Sequence, residues 1–306
     1  MCSFLKLIRY KNLLMVLLTL VLTKYALINS FTPTVSGLQF ILVAMAILCI
    51  TAAGYIINDI YDVATDTINK PTKVFIGNSI SKKNGLVAYV TLSIVGLIFG
   101  MYASYLNGNS SYILFFIGSV GLLYWYSKTL KRIAIIGNIV ISFLTALTIF
   151  IVFIFEIKNT NPASNILAVL TKIVNAIAVM IPVFIYILFA FFMTLIREMI
   201  KDIEDINGDY TSKMKTLPII IGINRTKNIV LVISSVIFLF IIIILKEELV
   251  HIPLLFWYTI LFIISPFGWF LYKLFNSKNS KDFNLLSTLI KVIMSIGIIS
   301  MLLINR

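Results

Sequence analysis

The sequence has few charged residues, and few of those are acidic. Of its 306 residues, 12% are charged, against roughly 25% in a typical soluble domain, and only 12 are aspartate or glutamate. Hydrophobic residues make up 60% of the chain. Because so little polar surface cannot cover so many apolar side chains in water, lipid has to cover much of them. The composition predicts a membrane protein.

Cysteine and histidine are almost absent. The two cysteines are Cys2 and Cys49, and the one histidine is His251. One cysteine lies at the terminus and the other in an apolar segment, which excludes a disulfide framework and a cysteine-based metal site. No glycine-rich Walker loop occurs, so nucleotide hydrolysis is not indicated.

The net charge of +13 would suggest nucleic acid as a partner in a soluble protein. Here the basic residues lie in short loops between apolar segments, where membrane topology and anionic lipid headgroups explain them. We therefore expect no nucleic-acid partner and a surface in contact with membrane lipid.

Nine apolar segments are long enough to span a bilayer, which takes ~20 residues per helix. They cover approximately residues 13–30, 37–57, 84–106, 111–127, 134–155, 166–196, 228–245, 253–275 and 285–304. We predict helices because lipid cannot satisfy free backbone groups and no alternating barrel strands occur. If the N-terminus is cytoplasmic, 19 of the 25 lysines and arginines fall on the cytoplasmic side. This bias predicts a multi-pass protein of the cell (cytoplasmic) membrane with a cytoplasmic N-terminus.

Two short stretches contain eight of the twelve acidic residues. These residues are Asp59, Asp62, Asp66, Glu198, Asp202, Glu204, Asp205 and Asp209. Each stretch carries aspartates at positions i, i+3 and i+7, a spacing that places three carboxylates on one face of a helix. Like charges so arranged repel each other, and Mg²⁺ relieves this repulsion while also binding phosphate oxygens. The spacing predicts a Mg²⁺ site at each aspartate triad.

The two triads repeat at long range. Each aspartate of the first triad lies 143 residues before its counterpart in the second. Each triad follows an even-numbered span, which predicts a parallel internal duplication. We therefore expect one domain, residues 1–306, built of half-bundles at about 1–155 and 156–306. The two helix ends would then face each other across a pocket.

Basic residues accompany both triads. They are Lys70, Lys73, Arg197, Lys201, Lys213 and Lys215. This combination suits a diphosphate ligand. A metal ion held by the carboxylates and the basic side chains would both neutralise the negative charge on a diphosphate leaving group. The alternative interpretation is that the acids are solvated loop residues without a ligand. The neighbouring lysines would then be explained by membrane topology alone.

Both triads resemble known signatures. The pattern Asn58-Asp59-x-x-Asp62-x-x-x-Asp66, followed by Asn69-Lys70-Pro71 and Lys73, resembles the first signature of the UbiA superfamily of membrane prenyltransferases. The pattern Arg197-Glu198-x-x-Lys201-Asp202-x-x-Asp205-x-x-Gly208-Asp209 resembles the second, in the form common in its digeranylgeranylglyceryl phosphate synthase branch. Further matches are Arg9, Asn12, Tyr126-Ser127, Leu130-Lys131 and Gly137-Asn138. The stretch from Val74 to Asn78 departs from the arginine-rich loop that is usual in the superfamily.

The resemblance implies an all-α membrane protein, a nine-transmembrane-helix bundle with a central cavity open to lipid. It implies Mg²⁺-dependent transfer of a prenyl group from a prenyl diphosphate to a lipid or aromatic acceptor. Metal-binding and catalytic residues would be Asp59, Asp62, Asp66, Asp202, Asp205 and Asp209. Residues binding the substrates would be Arg9, Asn12, Asn58, Lys70, Lys73, Tyr126, Lys131, Arg197 and Lys201. Tyr124 and Tyr126 are candidates to stabilise an allylic cation, although an interfacial aromatic position also explains them.

The second signature favours a geranylgeranyl donor and geranylgeranylglyceryl phosphate as acceptor. An aromatic quinone precursor, such as 1,4-dihydroxy-2-naphthoate or 4-hydroxybenzoate, is the alternative acceptor. A cation-coupled transporter is the alternative from another class, because acids in membrane helices often mark ion paths. Transporter sites lie near the bilayer midplane, whereas these acids lie at predicted helix ends. A non-catalytic protein that binds prenyl lipids is the third interpretation.

Overall fold

The computed structural model describes residues 2–28, 35–156, 166–247 and 249–304, and these ranges are almost entirely helical. The helices are α1 (Cys2–Leu7), α2 (Tyr10–Leu22), α3 (Gly37–Asn69), α4 (Lys82–Asn107), α5 (Ile113–Lys128), α6 (Ile136–Glu156), α7 (Ile166–Glu204), α8 (Ile206–Thr211), α9 (Leu217–Ile221), α10 (Ile223–Glu247), α11 (Pro253–Tyr258), α12 (Ser265–Asn276) and α13 (Ser280–Ile299). Two π-helical turns, Thr23–Ile28 and Thr259–Ile264, extend α2 and join α11 to α12. The prediction of an all-α protein is confirmed for the described part of the chain.

Eight helical segments in the described part of the chain are long and apolar enough to cross a membrane. They are Tyr10–Ile28, Gly37–Asn69, Lys82–Asn107, Ile136–Glu156, Met180–Glu204, Ile223–Glu247, Pro253–Asn276 and Ser280–Leu303. They match eight of the nine predicted spans, although residues 29–30 of the first prediction lie outside the described residues.

The remaining predicted span, residues 111–127, corresponds to α5. This helix has 16 residues, which rise about 24 Å, less than the ~30 Å of a bilayer core. By length alone the described residues therefore provide eight membrane-crossing helices, and α5 is a shorter apolar helix beside them.

The outer face of the bundle is apolar. On α10, for example, Val232, Val236, Leu239 and Ile243 follow each other at helical spacing and are each 59–63% exposed. A continuous exposed apolar face is stable against lipid but not against water. With the eight long helices, this surface makes the chain a multi-pass membrane protein.

Helix α3 begins and ends at clear local signals. Ser36 caps its start, because the Ser36 hydroxyl accepts a hydrogen bond from the amide of Gln39 at 3.2 Å. Pro71 follows its end, and a proline disfavours helical geometry in the preceding residue, Lys70. The helix therefore stops one turn after Asp66, which leaves Asn69 and Lys70 at its tip.

Two large apolar cores hold the bundle together. The first is formed mostly by α2, α3 and α6, with Phe116 of α5. The second is formed by α7, α10, α12 and α13, with Phe267 and Phe270 fully buried at its centre. A central cavity separates the walls formed by α2, α3 and α6 from those formed by α7 and α13. The division into half-bundles at about 1–155 and 156–306 stays a prediction.

Candidate active site

The first aspartate triad lies on the last three turns of α3 and faces the cavity, as its spacing predicts. Asp59, Asp62 and Asp66 all line the cavity mouth. Arg9, which precedes α2, donates a hydrogen bond to Asp59 Oδ1 at 2.8 Å. The Arg9 guanidinium also lies 4.9 Å from the ring centroid of Tyr55, one turn before Asp59. Arg9 is thereby held over the same helix end as the triad.

The second triad does not lie on one continuous helix, so that prediction was wrong. Helix α7 ends at Glu204, and Asp205 leaves helical geometry with φ −93° and ψ 8° before α8 begins. Aspartate is a weak helix former because its side chain competes for nearby backbone groups. Asp202, Asp205 and Asp209 nevertheless all line the cavity, since the bend keeps Asp209 close to Asp205 through a 3.2 Å backbone hydrogen bond.

Asn69 and Lys70 join the two triads. Lys70 Nζ lies 2.5 Å from Asp205 Oδ2, an ion pair between the end of α3 and the end of α7. The Asn69 amide donates to the carbonyl of Asp205 at 2.9 Å and accepts from the amide of Gly208 at 2.9 Å. Thr65 and Ser212 add a 2.7 Å hydrogen bond across the same gap. These contacts hold the two helix ends against each other at the cavity mouth.

Lys131 reaches the first triad from a separate element, the 3₁₀ turn Leu130–Arg132. Its ammonium group pairs with Asp62 and lies 3.4 Å from Asn58 Oδ1. Asn58 also donates to Asp62 at 2.7 Å, so Asp62 accepts from two side chains. Burial lowers the pKa of Lys131, while the neighbouring Asp62 carboxylate acts in the opposite direction.

Glu198 organises the cations on α7. Arg197 Nη1 lies 2.5 Å from Glu198 Oε1, and Lys201 Nζ lies 3.7 Å from Glu198 Oε2. All three residues line the cavity. Glu204 does not, because its carboxylate accepts hydrogen bonds from Asn284 at 2.6 Å and Ser287 at 3.1 Å on α13. Glu204 and Asp205 are adjacent in the sequence but have different positions. Glu204 anchors α13 to α7, whereas Asp205 lines the cavity.

Two contacts at the site were missed from the sequence. Asn138 of α6 donates to Asp202 Oδ2 at 2.9 Å, and Lys291 of α13 donates to Asn12 Oδ1 at 2.8 Å. The family-like pair Gly137-Asn138 was a signal for the first contact, and the isolated charge in the last span was a signal for the second. In both cases the partner is distant in the sequence, so its identity depends on helix packing.

The two tyrosines of α5 are in different environments. Tyr126 is half-buried and lines the cavity. Tyr124 is 38% exposed, lies outside the cavity lining, and packs edge-on against Tyr61 at 6.4 Å. The proposed role of Tyr124 beside an allylic cation is therefore wrong, because α5 turns it away from the cavity. The side chain of Lys73, also predicted to bind substrate, lies outside the described residues.

The donor set suits a hard cation. Three of the cavity carboxylates, Asp66, Asp202 and Asp209, have no ion-pair partner among the residues that the structure describes. Burial, with the nearby charges of Asp205 and Asp62, raises the pKa of Asp209 to about 7. This mutual repulsion is what bound Mg²⁺ would relieve. Among the described residues, no three carboxylate, histidine or cysteine side chains lie close enough together to hold a metal ion. Lys70 and Lys131 pair with two of the cavity carboxylates.

The cavity has a volume of about 1010 Å³, at the upper end of the ~300–1,000 Å³ usual for ligand pockets. Its mouth carries the charged residues and its interior is apolar. The interior is lined by Ile47, Ile50, Phe116, Leu144, Leu147, Ile151, Tyr186, Phe189, Ile298 and Met301, among others. A ligand with an anionic head and a long apolar chain fits this polarity.

The sequence is similar to those of known proteins. A digeranylgeranylglyceryl phosphate synthase from Saccharolobus solfataricus is 33% identical over 186 residues, covering 61% of this chain and 58% of that protein. The chain spans about three fifths of the first curated relatives that it matches, from 58% to 63% of their length.

Solved structures show the same fold. A structure of digeranylgeranylglyceryl phosphate synthase has a TM-score of 0.67 at 22% identity, covering 98% of this chain and 96% of the other. A UbiA homologue from Archaeoglobus fulgidus bound to GPP and Mg²⁺ has a TM-score of 0.59 at 16% identity, covering 97% and 99%. Residues 14–294 match the sequence profile of the UbiA prenyltransferase family. The chain belongs to the UbiA prenyltransferase family.

Proposed function

We propose that this protein transfers a geranylgeranyl group from its diphosphate to geranylgeranylglyceryl phosphate in a Mg²⁺-dependent reaction. The observation that carries the proposal is the arrangement of charged residues at the cavity mouth. Six aspartates and the cations of Arg9, Lys70 and Lys131 converge there above an apolar interior. A prenyl diphosphate matches this distribution of charged and apolar residues, because its chain is lipid-soluble and its diphosphate head is not.

The carboxylates would hold Mg²⁺, as Asp59, Asp62 and Asp66 at one helix end and Asp202, Asp205 and Asp209 at the other. Bound Mg²⁺ would supply neutralisation of the negative charge on the leaving diphosphate. Lys70 and Lys131 form ion pairs with two of these carboxylates, Asp205 and Asp62. With Mg²⁺ on the carboxylates, Lys70 and Lys131 would hold the diphosphate. The A. fulgidus homologue was solved with GPP and Mg²⁺ bound, which supports the use of Mg²⁺ here.

The reaction breaks the bond between prenyl C1 and the diphosphate oxygen, whose electron pair leaves with the diphosphate. An acceptor hydroxyl oxygen forms the new C–O bond at C1, and its proton leaves with the diphosphate. Lys70, Lys131 and Arg9 stabilise the charge that grows on the departing oxygens. Tyr126 is placed to offer its ring face to the positive charge on the allylic carbon.

Membrane orientation is part of the proposal. The aspartates lie at the ends of α3 and α7 that adjoin lysine-rich loops, and such loops favour the cytoplasmic side. We therefore propose that the N-terminus and both triads are cytoplasmic, in a cell membrane. A water-soluble diphosphate head would then meet Mg²⁺ on the cytoplasmic side.

The test is product formation by purified protein in detergent with Mg²⁺ and radiolabelled geranylgeranyl diphosphate. Geranylgeranylglyceryl phosphate, 1,4-dihydroxy-2-naphthoate and 4-hydroxybenzoate are offered separately. We expect a labelled ether lipid from the first acceptor and its loss with EDTA or in Asp62→Ala. A labelled product from an aromatic compound alone would show that the acceptor is aromatic and not the glyceryl phosphate lipid. Transfer to none of the three acceptors would refute the proposal.

Replacing Gly208 by alanine tests the link between the two triads. A Cβ at this position would lie 2.4 Å from Nδ2 of Asn69, the side chain that bridges Asp205 and Gly208. Because the Asn69 side chain has to move, its hydrogen bonds to Asp205 and Gly208 are disturbed, which loosens the two helix ends beside the Lys70–Asp205 pair. We expect transfer to fall by up to about 100-fold, the effect of a displacement of ~1 Å at a reacting centre.

Gly121→Ala is the matched control for this variant. Its Cβ would meet no atom within 4 Å, so we expect transfer at the wild-type rate. Initial rates of both purified variants at saturating substrate decide the matter. Wild-type activity in Gly208→Ala would show that Asn69 is dispensable for the alignment of the triads.

A further inference from the structure

Lys291 is a charged residue in the interior of a membrane-crossing helix. It lies in the middle of α13, within the apolar segment Ser280–Leu303. Its ammonium group faces the cavity and donates to Asn12 of α2 at 2.8 Å. A charge at such a position is costly beside lipid, so it indicates a functional contact.

The groups around Lys291 are cationic. The four charges that act most strongly on it belong to Arg197, Lys11, Arg9 and Lys201. Neither Lys291 nor Lys11 forms an ion pair with any residue that the structure describes. Arg197 and Lys201 share the Glu198 carboxylate, and Arg9 pairs with Asp59. Lys291 and Lys11 have no such counter-charge within the described ranges, and an anion bound beside them would relieve their repulsion by the other cations.

Arg197 offers a donor to the same region. Its Nη1 pairs with Glu198, but its Nε atom is buried and has no acceptor in the described part of the chain. A buried donor without an acceptor is costly, and a bound oxyanion would satisfy it. The planar guanidinium is well suited to bind phosphate oxygens in pairs.

No aspartate of the two triads forms an ion pair with Lys291, Lys11 or Arg197 among the described residues. Asp62 and Asp205 pair with Lys131 and Lys70, and no carboxylate is among the strongest charges acting on Lys291. The triads suit an anion bridged by Mg²⁺, whereas the Lys291 side suits an anion bound directly by cations. One cavity mouth thus offers two kinds of anion site.

The wall of α13 below Lys291 is apolar. Met294, Ile298 and Met301 follow at helical spacing and line the cavity. Ten residues separate Lys291 from Met301, about 15 Å along a helix. Tyr186 of α7, whose hydroxyl lies 2.6 Å from the Ser300 hydroxyl just after α13, lines the same wall of the cavity. An anionic head at Lys291 would therefore place a lipid chain along α13, opposite the wall formed by α3 and α6.

We propose that Lys291, with Lys11 and Arg197, binds the phosphate monoester of the acceptor lipid. The inference rests on the proposed function and adds how the acceptor is recognised. A phosphate monoester carries up to two negative charges and three acceptor oxygens. As a ligand for several cations it is therefore better suited than a carboxylate group. The donor diphosphate is left to the triads, Lys70 and Lys131.

The test compares Lys291→Met and Lys291→Arg with Lys246→Met, a control at the exposed end of α10. Steady-state kinetics with geranylgeranyl diphosphate and geranylgeranylglyceryl phosphate give KM for each substrate. In Lys291→Met we expect the acceptor KM to rise about ten- to hundredfold, the effect of losing a charged hydrogen bond. The donor KM and the Mg²⁺ dependence stay at wild-type values, and Lys291→Arg recovers most of the affinity. An unchanged acceptor KM, or an equal rise for the donor, would overturn the inference.

Equilibrium binding separates this inference from the proposed function. The probes are radiolabelled geranylgeranylglyceryl phosphate and 1,4-dihydroxy-2-naphthoate, each without donor. Weaker binding of the phosphate lipid in Lys291→Met, but not of the naphthoate, supports the inference even if no product forms. Equal binding of the phosphate lipid by wild type and variant refutes it even if transfer to that lipid proceeds. A loss confined to the naphthoate would assign the cations to a carboxylate instead.

Discussion

Replacing Asp205 by asparagine is expected to lower prenyl transfer by about 10²–10³-fold, whereas replacing the adjacent Glu204 by glutamine leaves it near the wild-type rate. Asp205 lines the cavity and pairs with Lys70 at 2.5 Å. Asparagine has the same shape but no charge, so it weakens Mg²⁺ binding without leaving a cavity. The loss therefore reports on charge at the centre of the site.

Glu204 is a close control for Asp205. It lies next to Asp205 in the sequence, yet its carboxylate is directed at Asn284 and Ser287 of α13. Glutamine keeps an acceptor for these donors. Initial rates and Mg²⁺ titrations of both purified variants are the measurement. Equal losses in the two would mean that the effect is structural, and wild-type activity in Asp205→Asn would remove Asp205 from the metal site.

Replacing Lys24 by methionine is expected to lower the free energy of unfolding by about 3–5 kcal/mol. Lys24 and Glu156 form a buried ion pair at the end of α6 far from Asn138 and the triads, with side chains 3% and 5% exposed. Lys24 also donates to the carbonyl of Val35 at 2.9 Å, and the amide of Val35 donates to Glu156 at 3.2 Å. Removing Lys24 takes away the ammonium group that pairs with the buried Glu156 carboxylate, which is the costly change.

Thermal unfolding in detergent measures this effect, with Glu156→Leu and the double variant Lys24→Met/Glu156→Leu beside it. We expect the double variant to be more stable than the sum of the two single losses predicts, because both buried charges of the pair are removed together. Additive losses would show that the two charges do not interact. The KM values for Mg²⁺ and donor should stay at wild-type values in any folded variant, since the pair lies at the other end of α6.

Composition and helix length were enough to predict the architecture. Lipid leaves the backbone no partner except itself, so long apolar segments have to be helices. The end of α3 was also readable, because Pro71 stops the helix just after Asp66. The short length of α5 could not be predicted, because the apolar segment 111–127 has the composition of a full span and only the structure defines where the helix ends.

The aspartate spacing identified the candidate site, and Asp59, Asp62 and Asp66 line one cavity from α3, as the period of a helix requires. The same reasoning was wrong for the second triad, because Asp205 lies at a bend between α7 and α8. That bend coincides with contacts to Asn69 and Lys70, which come from another helix. Local periodicity carries no information about such partners.

The sequence by itself therefore determined a helical membrane protein with acids and bases at two helix ends. Those properties follow from local composition, proline placement and the helical period. The tertiary structure alone decided that Asn69 bridges to Gly208, that Tyr124 faces away from the cavity and that Lys291 faces into it. Each depends on how helices distant in the sequence pack, and packing is a property of the whole bundle that no local pattern encodes.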